Sequence, residues 1–249
     1  MSGTADLTRL HSRLDDRFGR RAVAGGAEPH DSEPYLTKEF LEAVEHITSF
    51  PGLAVPVAGG SGVFHPPATC YRLFRDLAGR RLEGEMESTV TGSCRRNEAV
   101  ANEARLHEFT MREIVFIGGG GEVAEWRAAL MQSEGAAAAG LGLEAELVQA
   151  QDLFFGTSAV VRGKRLMQQL LGLKYELVAP IAGKPVAISS FNLHRDFFTS
   201  RLGIEVAGVE SPHSSCVAYG VERWAEALRY RWGSDEGSWP AEVRNLLAA

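Results

Sequence analysis

The stretch over residues 93–118, SCRRNEAVANEARLHEFTMREIVFIG, constrains the fold more than any other part of the chain. Both of its ends alternate with the period of two that is typical of strands, on either side of a polar, alanine-rich turn. The first arm places Arg96 and Glu98 on one face. The second arm groups another set on one face, namely Arg105, His107, Phe109, Met111 and Glu113. An antiparallel hairpin would merge these faces into one surface with guanidinium groups, two carboxylates and an aromatic ring, which an ordinary core hairpin does not carry.

The composition excludes several classes of protein. A chain of 249 residues is long enough for one domain with a substantial core. It has no apolar run of membrane-spanning length and no signal-peptide core at its start, so the expected location is the cytoplasm. A formal net charge of −6 argues against a broad nucleic-acid surface, because phosphate neutralisation supplies most of that affinity.

Hydrophobic periodicity predicts more strands than long helices. Helical spacing of apolar residues is found over residues 7–18, 36–47, 122–133 and 222–230, and a short helix follows Pro240. Residues 51–72 read as short extended pieces and turns. Strand-like segments follow at residues 83–93, 146–149, 174–180, 185–192, 204–209 and 213–219. Successive strands without intervening long helices predict an α+β fold with an antiparallel sheet.

Three segments together carry a resemblance to a known family. RNE followed by RLHEFTMREIVF resembles motif 2 of class II aminoacyl-tRNA synthetases of the seryl type, and HSSCVAYGVER resembles motif 3, with Arg223 at its arginine. KYE and SSFN resemble the segments that precede motif 3. The match covers roughly residues 70–230. It implies a class II synthetase-like catalytic domain, an antiparallel sheet flanked by helices, that takes up residues 1–249 as a single domain with N-terminal helices in residues 1–50.

The resemblance implies an ATP site on this hairpin. Arg96 would meet the α-phosphate, Glu98 the adenine amino group, Arg105 the terminal phosphates and Phe109 the adenine ring. Arg223 would complete the γ-phosphate side. The full set that the resemblance assigns to the nucleotide is Arg96, Glu98, Arg105, Leu106, Phe109, Ser189, Ser190 and Arg223, and the catalytic set is Arg96, Glu113 and Arg223. Mg²⁺ is expected with ATP, although Pro185, Val186 and Ala187 stand where the family carries its magnesium-binding glutamate. The alternative reading is a solvated hairpin with surface ion pairs.

The cysteines point to one branch of this family. Cys70, Cys94 and Cys216 are odd in number and contain no CxxC pair, so they predict thiols or metal ligands rather than a disulfide framework. In the atypical, zinc-containing seryl-tRNA synthetases, two cysteines and a glutamate at the places of Cys70, Glu113 and Cys216 hold the metal. Such a set leaves a fourth tetrahedral position open for a substrate amine. Cys94 is outside the set, and we expect it in the core.

The segment before Cys70 decides the expected function. It is shorter than seventy residues and holds no sustained heptads, so no tRNA-binding arm is expected and tRNA is not the expected partner. The chain therefore resembles the bacterial amino acid:carrier protein ligases, which activate a small amino acid with ATP and pass it to a phosphopantetheine thiol. By this resemblance we expect glycine, alanine or serine as substrate, Zn²⁺ as cofactor, a carrier protein as partner and a homodimer that forms through helix 36–47.

Three alternatives stay open at this point. A minimal seryl-type enzyme would charge tRNA, a related ligase would hand the aminoacyl group to a small-molecule or peptide amine, and a non-catalytic paralogue would only bind nucleotide or amino acid.

Overall fold

The computed structural model describes residues 2–50, 52–60, 62–97, 106–151, 163, 166 and 168–248. The strands are β1 (Glu28–Pro29), β2 (Leu36–Thr37), β3 (Val63–Phe64), β4 (Arg81–Leu82), β5 (Met86–Arg95), β6 (Glu108–Gly118), β7 (Glu146–Gln149), β8 (Lys174–Ile181), β9 (Lys184–Arg195), β10 (Glu205–Val206) and β11 (His213–Gly220). The helices of eight residues or more are α1 (Ser2–Gly25), α4 (Cys70–Leu77), α5 (Gly120–Gly140), α7 (Val221–Trp232) and α8 (Ala241–Ala248). The shorter helices are α2 (Lys38–Ala43), α3 (His46–Ser49) and α6 (Phe197–Leu202).

One seven-stranded sheet organises the described residues, in the order β1-β5-β6-β11-β9-β8-β7. Strand β1 pairs parallel to β5, and every other neighbouring pair is antiparallel. The long β5–β6 hairpin aligns Met86 with Ile117 and Arg95 with Glu108. The predicted α+β fold with an antiparallel sheet is therefore confirmed.

Helices cover the two faces of the sheet unequally. Helices α1, α5, α7 and α8 bury the larger core against one face, where Phe18 stacks on Tyr219 at a centroid distance of 4.4 Å and packs edge-on against Trp224. Helices α2, α4 and α6 bury a second core against the other face, around Phe74 and Phe198, whose rings stack at 4.1 Å. The part of this second face that these short helices leave uncovered holds the cavity described below.

Several elements differ from the sequence prediction, and helix α1 is one of them, since it runs over Ser2–Gly25 and not only over residues 7–18. The predicted helix 36–47 is divided into α2 and α3, because Glu45 adopts a left-handed conformation with φ 53°. Cys70, predicted within the short extended pieces and turns of residues 51–72, instead begins α4. The helix predicted over 122–133 continues to Gly140, since the alanines that follow it favour helix.

The apolar side chains of the predicted 36–47 helix are already covered. Leu36, Phe40, Leu41 and Val44 are buried in the core against α4 and β6 within a single chain. They are therefore not available as the dimer contact that the sequence suggested for them. Among the helices described, none is long and apolar enough to cross a membrane.

Candidate active site

Strand register places the chemically active residues in a row across one face of the sheet. Glu113 on β6 lies opposite Ala218 on β11, Ala218 lies opposite Ser190 on β9, and Ser190 lies opposite Glu176 on β8. Residues directly opposite each other in a sheet share a face, so these four side chains point the same way. Because Ala218 is small, the middle of the row forms an open floor between two carboxylates.

A cavity of about 780 Å³ lies over this row. Its walls come from the start of α4, from α3, from α6 and from the first turn of α7. The predicted site residues that border it are Cys70, Arg96, Leu106, Phe109, Glu113, Ser189, Ser190, Cys216 and Arg223. Glu98 and Arg105 lie outside the residues that the structure describes. All other residues that the sequence assigned to the nucleotide and the metal therefore border a single cavity.

Cys70, Glu113 and Cys216 converge at one wall of the cavity. One ligand atom from each lies within 4.8 Å of the other two, and all three residues are buried. The Glu113 carboxylate accepts hydrogen bonds from the backbone N of Cys70 at 2.6 Å and from Thr69 Oγ1 at 2.9 Å. Asn192 Nδ2 lies 3.5 Å from Cys216 Sγ and donates to it. Glu113 and both thiols are thus held in place by neighbouring groups.

The donor set fits a thiophilic divalent cation. A hydrogen bond with Cys216, burial and the nearby Glu113 carboxylate together raise the pKa of Cys70. The hydrogen bond from Cys70 lowers the pKa of Cys216, but burial and Glu113 outweigh it and the net shift is upward. Without a metal, both thiols therefore favour the protonated form. A bound cation would reverse this, because thiols that coordinate a cation lose their proton. Two thiolates and one carboxylate are ligands that Zn²⁺ accepts in tetrahedral geometry.

Arg96 lies directly after β5, at the open end of the hairpin. Its backbone N donates to His107 O at 3.0 Å, and its Nε donates to Pro67 O at 2.8 Å. The guanidinium carbon lies 5.2 Å from the centroid of the Phe109 ring. This cation–π contact occupies one side of the ring and fixes the guanidinium at the cavity wall.

The neighbouring Arg95 forms a surface ion pair of the kind that the alternative interpretation, a solvated hairpin, expected. Its guanidinium pairs with the Glu108 carboxylate, and both side chains are about half exposed. Arg95 and Glu108 therefore form an ordinary surface ion pair, whereas Arg96, Phe109 and Glu113 line the cavity.

The motif 3 segment and strand β9 supply another wall of the cavity. Arg223, in the first turn of α7, donates from Nη1 to Ala187 O at 3.0 Å and borders the cavity. The two serines of β9 have different environments. The Ser190 hydroxyl accepts from Asn192 Nδ2 at 3.2 Å on the cavity face, whereas the Ser189 hydroxyl accepts from Trp224 Nε1 at 3.0 Å. The Ser189 hydroxyl is thus hydrogen-bonded to α7. The Ser190 hydroxyl lies next to the cluster of Cys70, Glu113 and Cys216.

Several cavity residues received no role from the sequence, although Glu176 and Asn192 lie in the KYE and SSFN segments that resemble the family. Glu176 places a carboxylate on the cavity face, 3.4 Å from Lys174 Nζ, and offers a magnesium ligand that the segment around Ala187 lacks. Asn192 touches Cys216, as described above. His46, buried in α3, also borders the cavity. Strand alternation could have placed Glu176 and Asn192 on one face, but nothing in the sequence around His46 indicates a cavity.

Comparison with known proteins gives close relatives of nearly full length. No family model matches the chain. Amino acid--[acyl-carrier-protein] ligases 1 and 2 of Bradyrhizobium diazoefficiens are each 37% identical to it, over 98% of this chain and 85% and 83% of the relatives. A type-2 serine--tRNA ligase of Methanothermobacter thermautotrophicus is 28% identical over 55% of this chain and 27% of its own length.

Solved structures share the fold at lower identity. The seryl-tRNA synthetase of M. kandleri, in complex with A. aeolicus tRNASec, superposes with a TM-score of 0.83 at 19% identity, over 97% of this chain and 55% of that one. The seryl-tRNA synthetase of Pyrococcus horikoshii complexed with ATP superposes with a TM-score of 0.76 at 15% identity, over 98% and 56%. The chain thus spans a little over half of these synthetases. The class II synthetase fold expected from the motifs is confirmed.

Proposed function

The chain belongs to the amino acid--[acyl-carrier-protein] ligases, and is therefore a ligase, and from this we propose that it activates a small amino acid with ATP and transfers it to a carrier-protein thiol. The observation that carries the proposal is the shared cavity. Arg96, Phe109 and Arg223 border one part of it, and the thiol–carboxylate cluster borders another. A single chamber with these two sets of groups suits a reaction between a nucleotide and a small amine-bearing acid.

The cluster of Cys70, Glu113 and Cys216 is the proposed amino-acid anchor. A zinc ion held there would supply an open coordination position for the substrate α-amino group. The chain's own part is to fix that position, through the hydrogen bonds that hold Glu113 and Cys216. Because the amine and the carboxylate of an amino acid are attached to one carbon, an anchored amine also limits where the carboxylate can lie.

Arg96 is the proposed stabiliser of the first chemical step. A carboxylate oxygen of the amino acid attacks the α-phosphorus of ATP, and the bond from that phosphorus to the pyrophosphate oxygen breaks. Negative charge grows on the α-phosphate during this step. A guanidinium already fixed by Pro67 O and Phe109 can meet that charge without reorganising solvent. The adenine ring would lie against the side of Phe109 that Arg96 leaves free, with Arg223 across from it.

The second step needs no nucleophile from the protein. The carrier's thiolate sulfur attacks the carbonyl carbon of the aminoacyl-adenylate, a thioester bond forms, and the bond to the phosphate oxygen of AMP breaks. The chain contributes by holding the adenylate while the thiol approaches. We propose Glu176 as the carboxylate ligand for the Mg²⁺ that accompanies ATP, since Mg²⁺ prefers carboxylate and phosphate oxygens.

We propose a homodimer, a cytoplasmic location and one catalytic domain over residues 1–249. The substrate is proposed to be glycine, alanine or serine. The proposed acceptor is a phosphopantetheinylated carrier protein, and the two ligases of Bradyrhizobium diazoefficiens, named for an acyl-carrier-protein, support a carrier as acceptor.

The test measures activation and transfer separately. Zinc-loaded protein is incubated with ATP, labelled pyrophosphate and one amino acid at a time, and we expect exchange with at least one of the three. Intact mass of a phosphopantetheinylated carrier then reports the thioester, with tRNA and free amines as competing acceptors. Exchange without carrier loading would redirect the proposal to one of those acceptors. No exchange with any amino acid would refute the activating role.

A further inference from the structure

His46 is a buried cavity residue with an unused hydrogen-bonding atom. It is 4% exposed and borders the main cavity. Its Nε2 has less than 1 Å² of solvent-accessible surface and has no hydrogen-bond partner among the described residues. Buried polar atoms of native proteins nearly always have a partner, so an unpartnered nitrogen on a residue that borders a cavity points to a ligand, which a small turn of the ring would bring within reach.

The other side of the imidazole is held firmly. Nδ1 lies 3.3 Å from the hydroxyl oxygen of Tyr71. The Tyr71 ring packs edge-on against His46 with centroids 5.5 Å apart, and Phe50 lies 5.2 Å away on another side. This packing orients the ring. If the Tyr71 hydroxyl donates to Nδ1, then Nε2 carries the proton and acts as a donor.

His46 has neighbours from both parts of the proposed site. Its hydrogen-bond partner Tyr71 follows Cys70 directly in α4. Burial, and to a smaller extent the Arg96 guanidinium, lowers the pKa of His46 to about 4, so this guanidinium is near enough to act electrostatically on the imidazole. The ring is therefore neutral at physiological pH, a state in which it can donate through one nitrogen only.

The proposed positions of the amine and the α-phosphate limit where the substrate carboxylate can lie. In the proposed function, the amine lies at the Cys70–Glu113–Cys216 cluster and the α-phosphate lies at Arg96. The carboxylate must bridge the two, because it is bonded to the carbon that carries the amine and it attacks the phosphorus. His46, in α3, borders the same cavity as both groups.

We propose that His46 Nε2–H donates a hydrogen bond to a carboxylate oxygen of the amino-acid substrate, namely the oxygen that becomes the carbonyl oxygen of the adenylate. The inference rests on the proposed function and assigns one more residue to it. Tyr71 is then a positioning residue, which keeps the proton on Nε2. No proton is transferred: the hydrogen bond orients the attacking carboxylate and later polarises the carbonyl for the thiol.

Two side-chain replacements separate a donor from a mere packing group. His46→Gln can carry an amide nitrogen to the place of Nε2, whereas His46→Leu fills similar space without a donor. We expect His46→Leu to lower kcat/KM for the amino acid in pyrophosphate exchange by about tenfold or more, and His46→Gln to recover most of that loss. Zinc content and ATP affinity should match the wild type in both variants. Tyr71→Phe should reduce kcat/KM by a smaller factor with folding intact.

A spectroscopic measurement judges the hydrogen bond even where activity is absent. Long-range ¹H–¹⁵N spectra of histidine-labelled protein report which ring nitrogen carries the proton, and the His46→Gln variant identifies the His46 signals. We expect the Nε2–H form in the free protein and a shift of Nε2 when glycine and a non-hydrolysable ATP analogue are added.

The two proposals fail in different ways. A wild type without exchange for any amino acid would refute the proposed function, whereas the spectrum would still decide the donor. An Nδ1–H tautomer would overturn the role of His46, and so would a folded, zinc-loaded His46→Leu variant with wild-type kcat/KM.

Discussion

The backbone N–H of Cys70 donates a hydrogen bond of 2.6 Å to the Glu113 carboxylate. Cys70 is the first residue of α4, and the N–H groups of a first helical turn have no partners inside the helix. Glu113 therefore satisfies one end of α4 while its own position on β6 is fixed. Two of the three proposed metal ligands, far apart in the chain, are thus tied to each other before any ion binds.

This bond makes Glu113→Ala an informative variant. The variant loses a ligand and leaves the Cys70 and Thr69 donors buried without their acceptor. We expect zinc and amino-acid activation to be lost together, and the free energy of unfolding to fall by about 1–3 kcal/mol. Nucleotide affinity should stay within about twofold, because Arg96 and Phe109 are untouched. Metal analysis, pyrophosphate exchange and ATP titration measure the three outcomes.

Glu108→Ala is the matched control on the same strand. Glu108 is exposed and pairs with Arg95 at the surface, so its loss should change stability by less than about 1 kcal/mol and leave zinc in place. If Glu113→Ala kept its zinc, or if Glu108→Ala lost it, the assignment of the ligand would be wrong.

The alternation of side chains along β6 could be predicted from the sequence, because it does not depend on contacts with other strands. Phe109, Met111 and Glu113 share a face in any strand, and the structure places all three at the cavity. What alternation cannot give is the register against other strands. A shift of one residue in β11 would turn Cys216 to the opposite face, away from Glu113. The motif resemblance supplied this register, and the sequence pattern alone did not.

The place of His46 at the cavity was missed for a different reason. The break at Glu45 depends on a left-handed residue that is not glycine, which local propensity disfavours and tertiary contacts must support. Arg201, whose guanidinium pairs with Glu45 at 2.7 Å, is one such contact from a distant segment. His46 follows this break, so its place at the cavity could not be derived from helical spacing.

Arg96 and Arg95 form a natural pair for testing the nucleotide site. They are adjacent in sequence, but Arg96 lines the cavity and Arg95 pairs with Glu108 outside. We expect Arg96→Ala to lower kcat/KM for pyrophosphate exchange by about 100-fold or more, because it removes a fixed donor to the growing charge. Arg95→Ala should retain activity within about twofold. Arg96→Lys should restore part of the loss, since it keeps the charge but not the planar fork. Equal effects of Arg95→Ala and Arg96→Ala would contradict this assignment.

Gly92 makes room for Arg72, a buried arginine of the helix α4 that begins at Cys70. A Cβ added there would lie 2.3 Å from Arg72 Nη1. That guanidinium cannot move freely, because it donates to the backbone oxygens of Ser32, Glu33 and Thr91 and so ties α4 to β5. We therefore expect Gly92→Ala to lower the free energy of unfolding by about 1–3 kcal/mol.

The control for this variant is Gly84→Ala. An added Cβ at Gly84 meets nothing within 4 Å, so chemical unfolding should show a change of less than about 1 kcal/mol. Zinc affinity should weaken in Gly92→Ala as well, since Arg72 is two residues from Cys70 in α4. A Gly92→Ala protein as stable as Gly84→Ala would show that Arg72 can be accommodated elsewhere.

The buried imidazole of His46 should give the protein a measurable pH dependence. Burial and the nearby Arg96 lower the pKa of His46 from 6.5 to about 4 in the folded state. Between these two values the unfolded chain binds the proton and the folded chain does not, so this contribution to stability is complete above pH 6.5 and is lost as the pH falls toward 4. The shift corresponds to about 3 kcal/mol. Urea unfolding of wild type and His46→Gln from pH 7 to pH 4 should therefore show a steeper fall for the wild type, while parallel curves would mean that the folded protein accepts the proton on His46 without cost.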